Sequence, residues 1–147
     1  MRYWDSSALL PLVVLERTSG MMQGLLTADR DVLTWWGSKI EVASALSRLG
    51  REGALEGGRL EATFTRMDAL ARTWDEVLPT DSVREQAVRL LRVHPLRGAD
   101  ALQLAAAVVA AEHRPGTLPL VTLDHRLREA ALREGFAVLP AATDTSS

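Results

Sequence analysis

Strand-length apolar runs alternating with helix-length periodic segments constrain this chain more than any other feature. Met1–Trp4 is a short extended candidate ending at Asp5-Ser6-Ser7, whose side-chain oxygens can accept hydrogen bonds from the free N–H groups of a following helix. A helix is expected over Ser19–Ala28 and a strand over Val32–Trp36, set between the turn-forming Asp29-Arg30-Asp31 and Gly37. Ser38 opens a longer helix to about Gly50. Apolar periodicity resumes through Leu60–Trp74, Val77–Leu78 is a short strand candidate, and Asp81 is expected to cap a helix that runs to about Val93 and ends at His94-Pro95. Ala99–Ala111 is helical and almost entirely apolar. Pro115-Gly116 turns the chain into a strand over Leu118–Thr122, Asp124–Arg133 is the last helix, and Phe136–Leu139 is a closing strand. This alternation predicts an α/β fold, a three-layer α/β/α sandwich around a mostly parallel central sheet. No internal repeat or linker interrupts the pattern, so residues 1–140 are read as a single domain and 141–147 as a frayed C-terminal tail.

Composition removes several classes of function. At 147 residues the chain can bury roughly 68–70% of its unfolded surface. It has no cysteine, which excludes disulfides, thiolate nucleophiles and cysteine-ligated zinc or iron–sulfur centres. The longest apolar runs, Ala8–Leu15 and Leu104–Ala111, fall far short of the roughly 20 residues a membrane-spanning helix needs. Asp5 directly before the first run and Pro11 inside it argue against a signal peptide, and a cytoplasmic location is expected. The formal net charge of −2 supplies no global pull toward nucleic acid. Lys39 is the only lysine, so the positive charge resides in arginines, whose forked donors suit phosphate. The run Arg84, Arg89, Arg92 and Arg97 is read first as a solvated helix face.

In open parallel sheets the ligand crevice lies beyond the carboxyl ends of the strands. Three carboxylates fall at such places: Asp5 after the first strand, Asp124 after Leu118–Thr122, and Asp100 in the first turn of the apolar helix. A fourth, Glu41, lies within the helix that Ser38 opens. Taken singly, Asp5 and Asp124 are good helix caps, and Glu41 is a border residue able to pair with Arg48. Asp100 resists a plain reading, because helical spacing aligns it with Leu104, Ala107, Val108 and Ala111, starting the buried face with a carboxylate. Together the four form an oxygen-only set of the kind preferred by Mg²⁺ or Mn²⁺. A divalent ion would relieve their mutual repulsion and activate water for phosphodiester hydrolysis.

Four segments in order carry a family resemblance: Asp5-Ser6-Ser7-Ala8-Leu9; Glu41-Val42-Ala43-Ser44-Ala45-Leu46; Leu96-Arg97-Gly98-Ala99-Asp100-Ala101-Leu102-Gln103-Leu104-Ala105; and Thr122-Leu123-Asp124-His125-Arg126-Leu127. They resemble the successive signature segments of PIN-domain ribonucleases, and within them the VapC-like toxins of bacterial type II toxin–antitoxin modules. The resemblance implies a metal-dependent endoribonuclease in which Asp5, Glu41, Asp100 and Asp124 hold Mg²⁺ or Mn²⁺, with Thr122 and Ser6 hydrogen-bonding at the site. The last acidic position varies most among such proteins, so Asp124 is expected to be more dispensable than Asp5 or Asp100. A cognate protein antitoxin lying across a hydrophobic groove and a homodimer are also implied. Trp35, Trp36, Met21 and Met22 are groove candidates, with core packing the plainer reading for most of them.

Other phosphate chemistries lack their motifs. Neither G-x-x-x-x-G-K-[ST] nor G-x-G-x-x-G occurs, and Ser7 stands where a haloacid-dehalogenase-like phosphatase would want a second aspartate. The single lysine argues against a receiver domain, and His94, His113 and His125 lack H-E-x-x-H spacing. Two rival readings stay open: a non-catalytic PIN-like module that binds RNA or protein, and an RNA-processing ribonuclease independent of any antitoxin. Arg97, Arg126 and Arg128 are candidate RNA-phosphate contacts because they flank Asp100 and Asp124, while His125 is read first as a surface histidine. One or two ions would fit four carboxylates.

Overall fold

A computed structural model describes residues 1–141. Its strands are β1 (Arg2–Trp4), β2 (Val32–Trp35), β3 (Asp75–Val77), β4 (Leu120–Val121) and β5 (Val138–Leu139). They form one sheet in the order β3-β2-β1-β4-β5, with each neighbouring pair parallel. The helices are α1 (Ser6–Val13), α2 (Ser19–Ala28), α3 (Ser38–Arg51), α4 (Gly57–Ala71), α5 (Asp81–Val93), α6 (Gly98–Ala110) and α7 (His125–Arg133). A 3₁₀ turn at Pro115–Thr117 leads into β4.

The side-chain period of two along each strand sorts the core into two halves. Tyr3, Leu33, Trp35, Leu120 and Val138 point to the side covered by α5, α6 and α7. Trp4, Val32, Val121 and Leu139 point to the side covered by α1 to α4. Burial of both faces of the central strands explains why they read as apolar runs, and the result is the expected three-layer sandwich. The central pairing places Tyr3 opposite Leu33 on one flank and Leu120 on the other.

Several local expectations shift for identifiable reasons. The cap of α5 is Thr80, whose hydroxyl accepts from the Val83 N–H at 3.4 Å, while Asp81 is already helical. The third strand is Asp75–Val77 instead of Val77–Leu78, because an edge strand can carry charge on exposed residues, which hydropathy does not reveal. β4 is shorter than Leu118–Thr122; Pro119 has no N–H to give to a ladder. Met22 and Trp35 belong to the core, whereas Trp36 is exposed. The expected frayed tail at 141–147 falls, beyond Ala141, outside the described residues.

The arginine run on α5 serves partly as a surface. Arg84 pairs with Asp81 at 3.6 Å, and Arg89 reaches Glu134 at 2.8 Å. His94 does more than end the helix: it is buried, with Nε2 2.7 Å from Glu134 Oε2. Burial tends to raise the Glu134 carboxyl, but the hydrogen bonds and charges of Arg89 and His94 together hold it below its ordinary value.

α6 lies against the centre of the sheet and buries Ala101, Gln103, Leu104, Ala105, Ala106, Ala107 and Val108. Leu104 is fully buried within this closely packed, alanine-rich helix. Leu104→Ala is expected to lower stability by about 2–5 kcal/mol, read as a reduced urea midpoint with an unchanged slope.

Candidate active site

The sheet order places β1 and β4 side by side with their connections leaving in opposite directions, the arrangement that opens a crevice at the carboxyl ends of strands. Asp5 follows β1, and its N–H extends the pairing by donating to the Val121 carbonyl at 3.0 Å. Its side chain is 3% exposed. The Ser7 N–H donates to Asp5 Oδ1 at 2.6 Å, and the Ser7 hydroxyl donates to Oδ2 at 2.9 Å. Thr122, just past β4, donates a hydrogen bond to the same Oδ2. The two hydroxyls are held in turn by the chain beyond β4, with the Leu123 N–H donating to Ser7 Oγ at 3.0 Å and the Asp124 N–H to Thr122 Oγ1 at 3.1 Å. Asp124 caps α7 by accepting from the Leu127 N–H at 2.9 Å. Both capping readings of Asp5 and Asp124 therefore hold, and capping is what anchors the two carboxylates at the crevice.

Glu41 enters from the first turn of α3. It does not take the Arg48 partner that helical spacing allowed. Instead Oε1 accepts from the Ser6 hydroxyl at 3.2 Å, and Oε2 accepts from Gln103 Nε2 at 2.8 Å. Ser6 also stands 3.5 Å from Asp5 Oδ1, which links the two acids through one hydroxyl. Gln103 donates a second bond to Ser38 Oγ at 2.9 Å and accepts from the Tyr3 hydroxyl at 2.6 Å. Ser38 Oγ in turn lies 2.6 Å from Thr34 Oγ1. Tyr3, Ser7, Ser38 and Gln103 are polar members of the site that motif reasoning did not single out. The signal for Gln103 was present, since it is the one uncharged polar side chain in the helix that carries Asp100.

Asp100 lies in the first turn of α6 and is half-buried, more open than its alignment with the apolar face implied. Helix ends project beyond the layer they pack in, so the first turn escapes the burial of the next two. Among the basic candidates, Arg97 immediately precedes α6 and Arg126 lies on the first turn of α7, both exposed. The charges of both act on Asp100. Arg128 is partly committed elsewhere, donating to the Pro140 carbonyl at 2.7 Å. His125 is exposed, as its surface reading expects.

The electrostatics tie the four acids together. Burial pushes the Asp5 carboxyl up to about 6, against the hydrogen bonds from Thr122 and Ser7, and the charge of Asp124 adds to the rise. Glu41 is raised by burial, opposed first by the Gln103 bond, with repulsion from Asp5 and Asp100 adding to the rise. Asp100 is raised by burial and by Asp124, against the Arg97 backbone and the charges of Arg97 and Arg126. Tyr3 feels the same field: burial, then Asp5 and Glu41, push its phenol well above the ordinary value and keep it a donor.

None of the four acids forms an ion pair among the described residues. A set of buried or half-buried oxygens without a counter-cation has the donor chemistry of a hard divalent ion. The geometry is not a closed cage, for among the described residues no three acidic or histidine side chains are placed to grip one ion together. Their oxygens are turned instead to internal donors: both of Asp5's, both of Glu41's and one of Asp124's.

A carboxyl whose folded value rises from 3.8 to about 6 binds more protons folded than unfolded between those two pH values, so its ionisation costs stability as pH rises through that window. Asp5→Asn removes the ionisable group while keeping an oxygen for the Ser7 N–H. In chelator, the variant is expected to melt above the parent at pH 7, with the advantage shrinking as pH falls from about 6 toward 4. Melting temperatures of both proteins across that range, by circular dichroism, check it.

No protein-family model matches the chain. Two curated relatives, both from Mycobacterium tuberculosis, align over nearly its whole length. Ribonuclease VapC45 of strain CDC 1551 / Oshkosh and Ribonuclease VapC49 of strain ATCC 25618 / H37Rv are each 31% identical over 149 aligned positions, covering 97% of this chain and 96% of the relative. With an all-parallel sandwich and its acids gathered at the β1–β4 crevice, the chain belongs to the VapC-like branch of the PIN-domain ribonucleases.

Proposed function

We propose that the protein is a metal-dependent endoribonuclease that hydrolyses RNA phosphodiester bonds and acts as the toxin of a type II toxin–antitoxin module. The observation that carries this reading is the buried Asp5 at the β1–β4 crevice, sharing its field with Asp124 and Glu41 and lacking a protein counter-cation. The ribonuclease names of both relatives support it.

Asp5, Glu41, Asp100 and Asp124 are the residues that would hold Mg²⁺ or Mn²⁺. Such an ion, when bound, supplies Lewis-acid stabilisation of charge on the phosphate and lowers the pKa of water. Thr122 and Ser7 hold the Asp5 carboxylate from the protein side, and Ser6 spans Asp5 and Glu41. Asp124, reached last along the chain, is the acid whose loss is expected to be tolerated best. Arg97 and Arg126 lie beside the acidic cluster, where their guanidinium forks suit RNA phosphates and offset the repulsion an anionic substrate meets.

A cognate antitoxin and a homodimer are part of the same reading. Exposed Val88, Leu91 and Val93 on α5 support a partner-covered face. A cytoplasmic location belongs to the same reading; no helix among the described residues is long and apolar enough to cross a membrane. A non-catalytic RNA-binding module is the second reading, favoured by the lack of a closed three-ligand cage among the described residues.

Purified, antitoxin-free protein incubated with total cellular RNA in Mg²⁺, in Mn²⁺ and in chelator separates the two. Discrete fragments that require cation are expected, with folded Asp5→Asn slower by at least about 10²-fold. Intact RNA with folded parent protein in both cations would favour the binding module. In anisotropy titrations, Arg97→Ala and Arg126→Ala are each expected to weaken RNA binding and flatten the logarithmic salt slope by about 0.7. Arg128→Ala is expected to flatten the slope similarly, because one N–H given to the Pro140 carbonyl leaves the guanidinium charge and its other donors for phosphate.

A further inference from the structure

The buried side chains of α6 are alanine, leucine and valine except for one, the amide of Gln103, which is 1% exposed. A buried amide is costly unless its hydrogen-bonding groups are met, and an apolar side chain of the same length would pack at that position without the need. Every strong group of this amide is nonetheless used. Nε2 spends its two hydrogens on Glu41 Oε2 and Ser38 Oγ, and Oε1 accepts from Tyr3. The arrangement is directional. With Tyr3 donating into the oxygen, the amide must show its hydrogens to Glu41; turned over, it would set its oxygen against a carboxylate.

Tyr3 lies in β1, two residues before Asp5, and Glu41 lies on α3. Tyr3 and Gln103 thus connect the central strand, α6 and α3 through a buried contact at 2.6 Å and a partly buried one at 2.8 Å. Glu41 has two oxygens and about four lone-pair positions. Ser6 and Gln103 fill one on each oxygen and leave one on each for a further electrophile.

We infer that Gln103, oriented by the Tyr3 hydroxyl, is the positioning residue that holds the Glu41 carboxylate in place as a cation ligand, an inference that rests on the metal-dependent reading above. Neither Gln103 nor Tyr3 touches substrate or ion; each acts through Glu41. Loss of such an outer partner typically weakens a metal site by 10- to 100-fold.

Mn²⁺ affinity, read from the paramagnetic resonance signal of the free ion without any RNA present, tests this. Gln103→Met keeps the length of the side chain and removes its donor, and Tyr3→Phe removes only the hydroxyl that orients the amide. Leu90→Ala, in the same half of the core as Tyr3 but with an apolar side chain that makes no hydrogen bond to the polar chain, controls for loss of stability alone. Gln103→Met is expected to weaken Mn²⁺ binding by about 10- to 100-fold and Tyr3→Phe to weaken it less, with Leu90→Ala binding as the parent does. RNA cleavage by Gln103→Met should return toward the parental rate when Mn²⁺ is raised in proportion. If Gln103→Met does not fold, Tyr3→Phe carries the test. Parent protein that binds Mn²⁺ while both folded variants bind it equally well overturns the positioning role and leaves the nuclease reading standing. Parent protein that binds no Mn²⁺ overturns both.

Discussion

The Asp5 carboxylate sits where β1 and β4 end side by side, with each oxygen held by groups from the turns that follow those strands. Its contacts with Ser7 start α1, and its contact with Thr122 joins the two central strands at their carboxyl ends. Thr122 and Ser7 in turn accept from the backbone leading into α7, which Asp124 caps and whose first turn carries Arg126. The geometry of the crevice is therefore fixed by the same hydrogen bonds that start two helices. Removing any of these hydroxyls would loosen a cap and misplace a carboxylate together.

Such an arrangement is electrostatically expensive. Asp5 is almost wholly buried and carries its charge among other acids, with donors that offset only part of the desolvation. The fold sustains this because the rest of its core is conventional: two apolar half-cores on either side of a parallel sheet, closely packed through the alanines of α6. Stability gathered there offsets the cost of burying the Asp5 carboxylate at the crevice. Clustered anions that lack a counter-cation are what the proposed divalent ion would neutralise.

Much of this was legible in the residues. The alternation of apolar runs and periodic segments marked the sandwich, and Asp5, Asp100 and Asp124 stood out by their places at strand ends and a helix start, whereas Glu41, within a helix, joined them only as the fourth member of an oxygen-only set and through the family resemblance. What local pattern could not show was how those acids are held. Glu41 could pair with Arg48 by spacing alone; only the tertiary fold brings its carboxylate to Gln103 of α6, 62 positions away. Tyr3 and Gln103 lie 100 positions apart, and a tyrosine in a buried strand looks like any core aromatic. Charge on the exposed edge strand β3 concealed its extent, and Thr80 took the cap of α5 from Asp81 because a hydroxyl one residue earlier met the same N–H. Pairwise tertiary contacts account for these differences; element types do not.

The proposed function requires four acids from four separate chain segments to act as one cation site. Anomalous X-ray scattering from crystals equilibrated with Mn²⁺ tests it most directly, since it locates the ion without reference to activity. The expected result is a manganese peak bounded by Asp5, Glu41, Asp100 and Asp124, lost in Asp5→Asn crystals. Parent crystals saturated with Mn²⁺ that show no peak among these carboxylates would contradict it, and would leave Asp5 and Asp124 as helix caps.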